Sequence, residues 1–176
     1  MKESFNNKQH NIKLSPMSIS EISDIFMILK DVDNVRHTNF VQQKTFEECK
    51  EFVELFTNHN KNEPIQYGPY TVHVNSNLIG LCGIEQKSIN NNTSEIWYLI
   101  HNPFWNKGYG SKIADKLIWL ARENPNLKKI IAETVETNIA SWKILEKLGF
   151  TRKEKIINGF IKEDILMNLF KYELLL

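Results

Sequence analysis

The segment "NPFWNKGYGSKIADKL", residues 102–117, constrains the fold more than any other part of the chain. Gly108 and Gly110 stand where a polar turn gives way to an amphipathic segment. The first amides of a helix have no partner within it and attract anions. Glycine has no Cβ, so an anion can approach the main chain there. The amides from 106 to 111 are therefore candidates to hold a phosphate; a loop with a tight packing contact at the glycines is the alternative.

Two common phosphate-binding motifs do not fit this turn. The Walker A spacing GxxxxGK[ST] is absent, and the dinucleotide fingerprint would need a third glycine where the chain has Ile113. The elements around the turn must therefore indicate which ligand it takes.

These elements follow a mixed order of strands and helices, judged from apolar periodicity and turn residues. In chain order they are a strand at 11–17, helices after Ser18 and Thr45, a meander of strands at 70–74, 78–84 and 95–100, a helix at 108–122, a strand at 128–135, a helix at 138–148 and two final strands. The stretch 31–44 has no clear pattern. This order predicts an α+β fold, a mixed α/β sandwich.

Local signals set several boundaries. The pairs Ser18–Glu21 and Thr45–Glu48 have the spacing of capping boxes at helix starts. Gly149 is placed to end a helix in the left-handed conformation. The dipeptide Asn158-Gly159 predicts the turn between the last two strands.

Charge and composition exclude several classes of function. Twenty-two basic side chains balance 21 acidic ones, so a broad nucleic-acid surface is not indicated. Cys49 and Cys82 have no CxxC spacing and the five histidines are scattered, so we expect neither disulfide nor metal, and a cytoplasmic location. No apolar run approaches the ~20 residues that span a bilayer. We expect one domain over 1–176, with residues 1–10 flexible.

Three stretches in this order resemble the GNAT superfamily of acetyl-CoA-dependent N-acetyltransferases. They are "LIGLCGI" (78–84), "SEIWYLIHNPFWNKGYGSK" (94–112) and "ETNIASWKILEKLGF" (136–150). Within the superfamily the chain is similar to the ribosomal-protein N-terminal acetyltransferase (Rim-type) branch, over nearly its whole length. The resemblance implies the GNAT fold, in which a mostly antiparallel sheet is splayed between two neighbouring strands and helices cover both faces.

The resemblance also implies where acetyl-CoA binds. The family's turn, Q/R-x-x-G-x-G/A, corresponds here to 105–110, with Trp at the Gln/Arg position. The expected cofactor contacts are Leu99, Ile100, Trp105, Asn106, Lys107, Gly108, Tyr109, Gly110, Ser111, Asn138 and Ser141. In this scheme the turn amides hold the pyrophosphate, and amides near Leu99 and Ile100 face the thioester carbonyl. Asn138 is also well placed to cap a helix, and Ser141 to bond its own backbone.

Acetyl transfer to an amine needs a base for the ammonium and benefits from a proton donor for the departing thiolate. Glu95 is the predicted base; the weaker candidates are Glu133, Glu136 and Glu85. Many family members have a Tyr as the acid where this chain has Leu145. Ser141 is the predicted substitute, with Tyr98 and Tyr109 as alternatives.

Several functional hypotheses remain open on the sequence. An active N-acetyltransferase is the first, with a protein N-terminus or a small amine such as a polyamine or aminoglycoside as acceptor. A coenzyme A sensor without turnover is the second, and a general nucleotide-binding α/β domain the third. The chain is expected to be a monomer or a homodimer.

Overall fold

The computed structural model describes residues 12–59, 68–88 and 92–176. Residues 1–10, expected to be flexible, lie outside this part. The helices and strands in chain order are β1 (Lys13–Pro16), α1 (Ile22–Leu29), α2 (Val32–Val35), α3 (Phe46–His59), β2 (Tyr70–Val74), β3 (Asn77–Ser88), β4 (Thr93–Ile100), α4 (Tyr109–Arg122), β5 (Lys129–Val135), α5 (Ile139–Lys147), β6 (Thr151–Lys162) and β7 (Ile165–Leu175). Short 3-10 turns precede α1 and α4.

These strands form one sheet in the order β1-β2-β3-β4-β5-β7-β6. The neighbouring strands pair antiparallel except β4 and β5, which are parallel. A parallel pair needs a crossover connection, and α4 provides it. The predicted α+β class and the mostly antiparallel sheet are confirmed.

Helices cover both faces of this sheet, and each face has its own apolar cluster. On one face α1, α2 and α3 pack with Leu81 of β3 and Leu99 of β4. On the other face α4 and α5 pack with Cys82 of β3 and Ile96 of β4. Successive side chains of a strand point to opposite faces, so β3 and β4 contribute to both clusters. No helix in the described ranges is long and apolar enough to span a bilayer.

The local boundary signals have mixed outcomes. Both capping boxes form, at Ser18–Glu21 and at Thr45–Glu48. Gly149 has φ 90° at the end of α5, as predicted. The turn predicted at Asn158-Gly159 is wrong: these residues lie in a bulge within β6, and the chain reverses at 163–164, where both residues have positive φ.

The stretch 31–44, which has no clear sequence pattern, contains α2 and an irregular segment. A buried side chain, Asn34, ties it to the rest of the molecule. Its Nδ2 donates to the Ile28 carbonyl at 2.9 Å, and its Oδ1 accepts from the Asn102 amide at 2.8 Å. This side chain therefore fixes the end of α1 against the turn that leads into α4.

We expect Asn34→Leu to lower the free energy of unfolding by about 2–4 kcal/mol, because it leaves a buried carbonyl and a partly buried backbone amide unpaired. Urea denaturation measures this change. Asp33→Ala is the matched control, since its bond to Arg36 is exposed and its loss should cost no more than about 0.5 kcal/mol. Equal losses in the two variants would show that Asn34 is not a structural link.

Candidate functional site

The pairing of β4 with β5 stops partway along the strands. The parallel register runs from Thr93–Lys129 to Glu95–Ile131 and goes no further. Beyond it, β4 stays paired with β3 up to Ile100, and β5 stays paired with β7 up to Val135. A gap therefore opens between the carboxyl ends of β4 and β5, which is the predicted splay.

Backbone alternation decides which groups of β4 face this gap. The His101 amide donates to the Ile79 carbonyl at 2.8 Å, so in an antiparallel ladder the amide of Leu99 also points to β3, and that of Ile100 points to the gap. The Ile100 carbonyl accepts a 2.6 Å hydrogen bond from Trp105 Nε1. Of the two amides predicted to face a thioester, the geometry favours that of Ile100.

The glycine turn leads directly from this gap into α4. Gly108, with φ 77°, is the N-cap of α4, and no side chain caps it. Asn106 also has a positive φ, of 60°. The first amides of α4 therefore have no side-chain cap and are available to bind a ligand.

A cavity of about 550 Å³, called here the turn cavity, lies against this helix start. It is lined by ten of the eleven predicted cofactor residues, Leu99, Ile100, Trp105, Asn106, Gly108, Tyr109, Gly110, Ser111, Asn138 and Ser141. The exception is Lys107: its Nζ donates to the Pro103 carbonyl at 2.8 Å and lies over the Phe104 ring. Its side chain therefore serves the turn's own structure.

The two glycines are needed for different reasons. A Cβ on Gly108 would meet nothing within 4 Å, and its requirement is conformational because φ is positive. A Cβ on Gly110 would lie 2.7 Å from Ile144 Cδ1. Gly110 thus lets α4 approach α5 closely. The tight packing contact that the sequence offered as an alternative is present at this position, and Gly110 also lines the turn cavity.

The start of α5 forms the opposite side of the turn cavity. Asn138 Oδ1 accepts from the Ser141 amide at 3.3 Å, so Asn138 is the N-cap of α5. Ser141 Oγ lies 3.4 Å from the Tyr98 hydroxyl. Burial raises the pKa of Tyr98 to about 12, so this phenol stays protonated at neutral pH and remains a hydrogen-bond donor.

A second cavity, of about 510 Å³, adjoins the first. It is called here the acidic cavity, because the carboxylates of Glu85, Glu95 and Glu133 line it. Both cavities share the same five lining residues, His37, Thr38, Tyr98, Asn138 and Ser141. These five residues mark the place where a molecule in one cavity would meet a molecule in the other.

Glu95 lies on the wall of the acidic cavity and is only partly exposed. Burial raises its pKa, and the ammonium of Lys87, 2.7 Å from Glu95 Oε2, acts in the opposite direction.

Glu136, a weaker candidate for the base, lines neither cavity. Its carboxylate binds Lys155 at 2.6 Å and the side-chain amide of Asn168 at 2.8 Å. Of these two cavities, Tyr109 lines the turn cavity and not the acidic cavity.

The sequence singled out none of the residues that form one side of the site. His37, Thr38 and Phe40 come from the stretch 31–44, for which no pattern gave a prediction, yet all three line the acidic cavity. His37 Nε2 lies 3.4 Å from Thr137 Oγ1, which lines the turn cavity. Burial lowers the pKa of His37, and Arg36 lowers it further, which favours a neutral imidazole.

Comparison with known proteins agrees with this geometry. The model of the acetyltransferase (GNAT) domain matches residues 11–151. The uncharacterized N-acetyltransferase YnaD of Bacillus subtilis is 29% identical over 116 residues, which are 66% of this chain and 65% of YnaD. The chain thus matches a little under two thirds of the length of this relative.

Two solved structures have the same fold. The ribosomal α-N-protein acetyltransferase RimL in complex with coenzyme A superposes with a TM-score of 0.83 at 14% identity, over 93% of both chains. Spermidine N-acetyltransferase from Vibrio cholerae, in complex with coenzyme A and spermine, has a TM-score of 0.80 at 16% identity, over 93% of this chain and 95% of that one. Because the family model covers most of the chain and the splayed sheet and glycine turn are those of the family, this chain belongs to the GNAT acetyltransferases.

Proposed function

We propose that this protein transfers the acetyl group of acetyl-CoA to a primary amine by direct attack in a ternary complex. The observation that carries the proposal is the meeting of two cavities at five shared residues, one cavity beside an open helix start and the other lined by carboxylates. Direct transfer requires both substrates to be held together in attack geometry. No covalent enzyme intermediate is needed.

The turn cavity is proposed to hold the acetyl donor. The amides between Asn106 and Ser111 bind the pyrophosphate, because the uncapped start of α4 offers donors and a favourable dipole. The pantetheine arm enters the gap between β4 and β5 and pairs with exposed backbone groups, as an added strand would. The Ile100 amide, with Leu99 as its neighbour, then stabilises the oxyanion of the tetrahedral intermediate.

The acidic cavity is proposed to hold the amine. Glu95 removes a proton from the ammonium through a relay of water molecules, because it lies five residues, about 16 Å of extended strand, before Ile100 on β4. Ser141 donates a hydrogen bond to the departing thiolate. Tyr98 supports Ser141 or replaces it as the donor. A protein N-terminus is the first acceptor proposed, and a small amine is the alternative. We further propose that the enzyme acts in the cytoplasm as a monomer or homodimer.

Release of the coenzyme A thiol, measured with acetyl-CoA and a panel of amines, tests this function. The panel includes peptides with free N-termini, the same peptides with blocked N-termini, spermidine and an aminoglycoside. Release that depends on a free amine supports an acetyltransferase, and the blocked peptides control for thioester hydrolysis. Tight binding of acetyl-CoA without transfer to any amine would instead favour the sensor hypothesis.

A substitution at Gly108 tests the phosphate site by charge alone. Asp and Asn both tolerate a left-handed φ and both cap helices well, and no protein atom lies within 4 Å of the added Cβ. We expect Gly108→Asp to weaken acetyl-CoA binding at least about tenfold more than Gly108→Asn, because a carboxylate would repel the pyrophosphate. Calorimetric titration of both variants measures this; equal affinities would place the phosphates elsewhere.

Removal of the Glu95 carboxylate tests the base. We expect Glu95→Gln to lower kcat by about 100-fold or more, with little change in acetyl-CoA affinity. Glu85→Gln is the comparison, since Glu85 lines the same cavity but is more exposed, and its effect should be much smaller. In the wild type, activity should fall as pH drops through a pKa above the ordinary glutamate value, because burial raises the pKa of Glu95. That acidic limb should disappear in Glu95→Gln.

The pair Ser141 and Tyr98 tests the proton donor. We expect Ser141→Ala to lower kcat about tenfold or more, because it removes the hydroxyl that is proposed to face the thiolate. Tyr98→Phe deletes only the phenol oxygen and should have the smaller effect. Steady-state kinetics with saturating amine distinguishes the two. A large loss in Tyr98→Phe with none in Ser141→Ala would assign the donor to Tyr98.

A further inference from the structure

The roof of the acidic cavity is a segment without regular structure. Residues 37–41 leave α2 and cross the cavity before α3 begins, and all five line it. The segment is partly held by its own residues: Thr38 Oγ1 donates to the Val35 carbonyl at 2.9 Å and accepts from the Phe40 amide at 3.2 Å. The Phe40 ring packs edge-on against Trp97 at 5.2 Å between centroids.

A lysine from the far end of the chain reaches this roof. Lys162 is the last residue of β6, beside the tip of the β6–β7 hairpin, and its Nζ donates to the carbonyls of Thr38 at 3.1 Å and Phe40 at 2.5 Å. Phe160, two residues earlier on the same strand, lines the acidic cavity. The hairpin therefore forms one wall of the cavity and also holds its roof.

The contacts of Lys162 indicate that it fixes the backbone of the 37–41 segment. Within the described ranges Lys162 makes no salt bridge, and burial lowers its pKa. A long side chain loses much rotamer freedom when its end is fixed, and a partly desolvated ammonium needs hydrogen-bond acceptors. Two adjacent loop carbonyls supply them, and an ammonium that binds both limits how far the segment can move.

We propose that Lys162 is a positioning residue for the amine acceptor: by holding the carbonyls of Thr38 and Phe40, it fixes the roof of the acidic cavity and thereby the shape that the acceptor must fit. This inference rests on the proposed function. It assigns to Lys162, on the β6–β7 hairpin, a part in acceptor selection that acts through the 37–41 segment and leaves the helix start at Gly108 unaffected.

Three variants test this role with acetyl-CoA and the best amine of the panel. Lys162→Met keeps the length and loses the donors, Lys162→Arg keeps charge and donors, and Lys153→Met removes the same charge from an exposed position on the same strand. We expect Lys162→Met to raise the KM for the amine about tenfold, the effect of losing a charge-assisted hydrogen bond. Its kcat should stay within about twofold. Its acetyl-CoA affinity should fall much less than its amine affinity, because Thr38 lines both cavities but the helix start at Gly108 does not depend on this contact. Lys162→Arg should recover part of the loss, and Lys153→Met should resemble the wild type.

An unchanged amine KM in Lys162→Met would overturn the proposal. So would a parallel loss of acetyl-CoA affinity and thermal stability, because that pattern belongs to a general structural contact.

A measurement without substrate keeps this test separate from the proposed function. The chain has four tryptophans, and labelling with 5-fluorotryptophan gives each its own ¹⁹F resonance; Trp97→Phe assigns that of Trp97. Because Phe40 packs on Trp97, loss of the Lys162 contact should shift the Trp97 resonance in Lys162→Met and not in Lys153→Met. An unchanged Trp97 resonance in Lys162→Met would overturn the proposed role of Lys162 even in an active enzyme. If no amine is acetylated, the proposed acetyltransferase function is wrong, while a shifted resonance still supports the role of Lys162 in fixing the roof.

Discussion

Backbone groups inside a sheet need hydrogen-bond partners, and β4 and β5 stop providing them to each other beyond Glu95 and Ile131. The strands diverge there because each remains bound to its other neighbour, β3 or β7. The unpaired edges border the gap between β4 and β5, which an extended ligand arm is able to occupy. The glycine turn, the start of α5 and both cavities are all arranged around the open end of this gap.

The alternation of side chains along β4 divides the site between the two faces of the sheet. Trp97 and Leu99 pack toward α1 and α3, whereas Tyr98 and Ile100 pack toward α4 and α5. Tyr98 thereby reaches Ser141 on α5. Glu95, two residues before Trp97, lines the acidic cavity. A one-residue slip in the register of β4 would exchange these positions, so the site depends on the β3–β4 pairing.

Short-range signals made much of the fold predictable. The capping boxes, the N-cap Asn138 and the terminal Gly149 each act within one helical turn, and a sequence carries them directly. The Asn158-Gly159 turn failed for a physical reason: Asn158 has a positive φ in the bulge, as it would in a two-residue hairpin turn, and only the pairing of Ile156 with Leu169 and Phe160 with Met167 selects the bulge. The roof of the acidic cavity was not predictable, because its partners, Trp97 and Lys162, are distant in sequence from the stretch 31–44.

The two cavities also differ in whether their shape depends on contacts near in sequence or far apart in sequence. Most of the turn cavity is shaped by a helix start, by the N-cap of α5 and by the contact of Gly110 with Ile144, and residues from 33–38 complete its lining. The acidic cavity owes its roof to contacts between three segments that are far apart, through Phe40, Trp97 and Lys162. A substitution in any one of these segments changes the roof while the helix start stays as it is. Acceptor selectivity is therefore expected to change more readily than donor binding in this fold, since its determinants are spread over more of the chain.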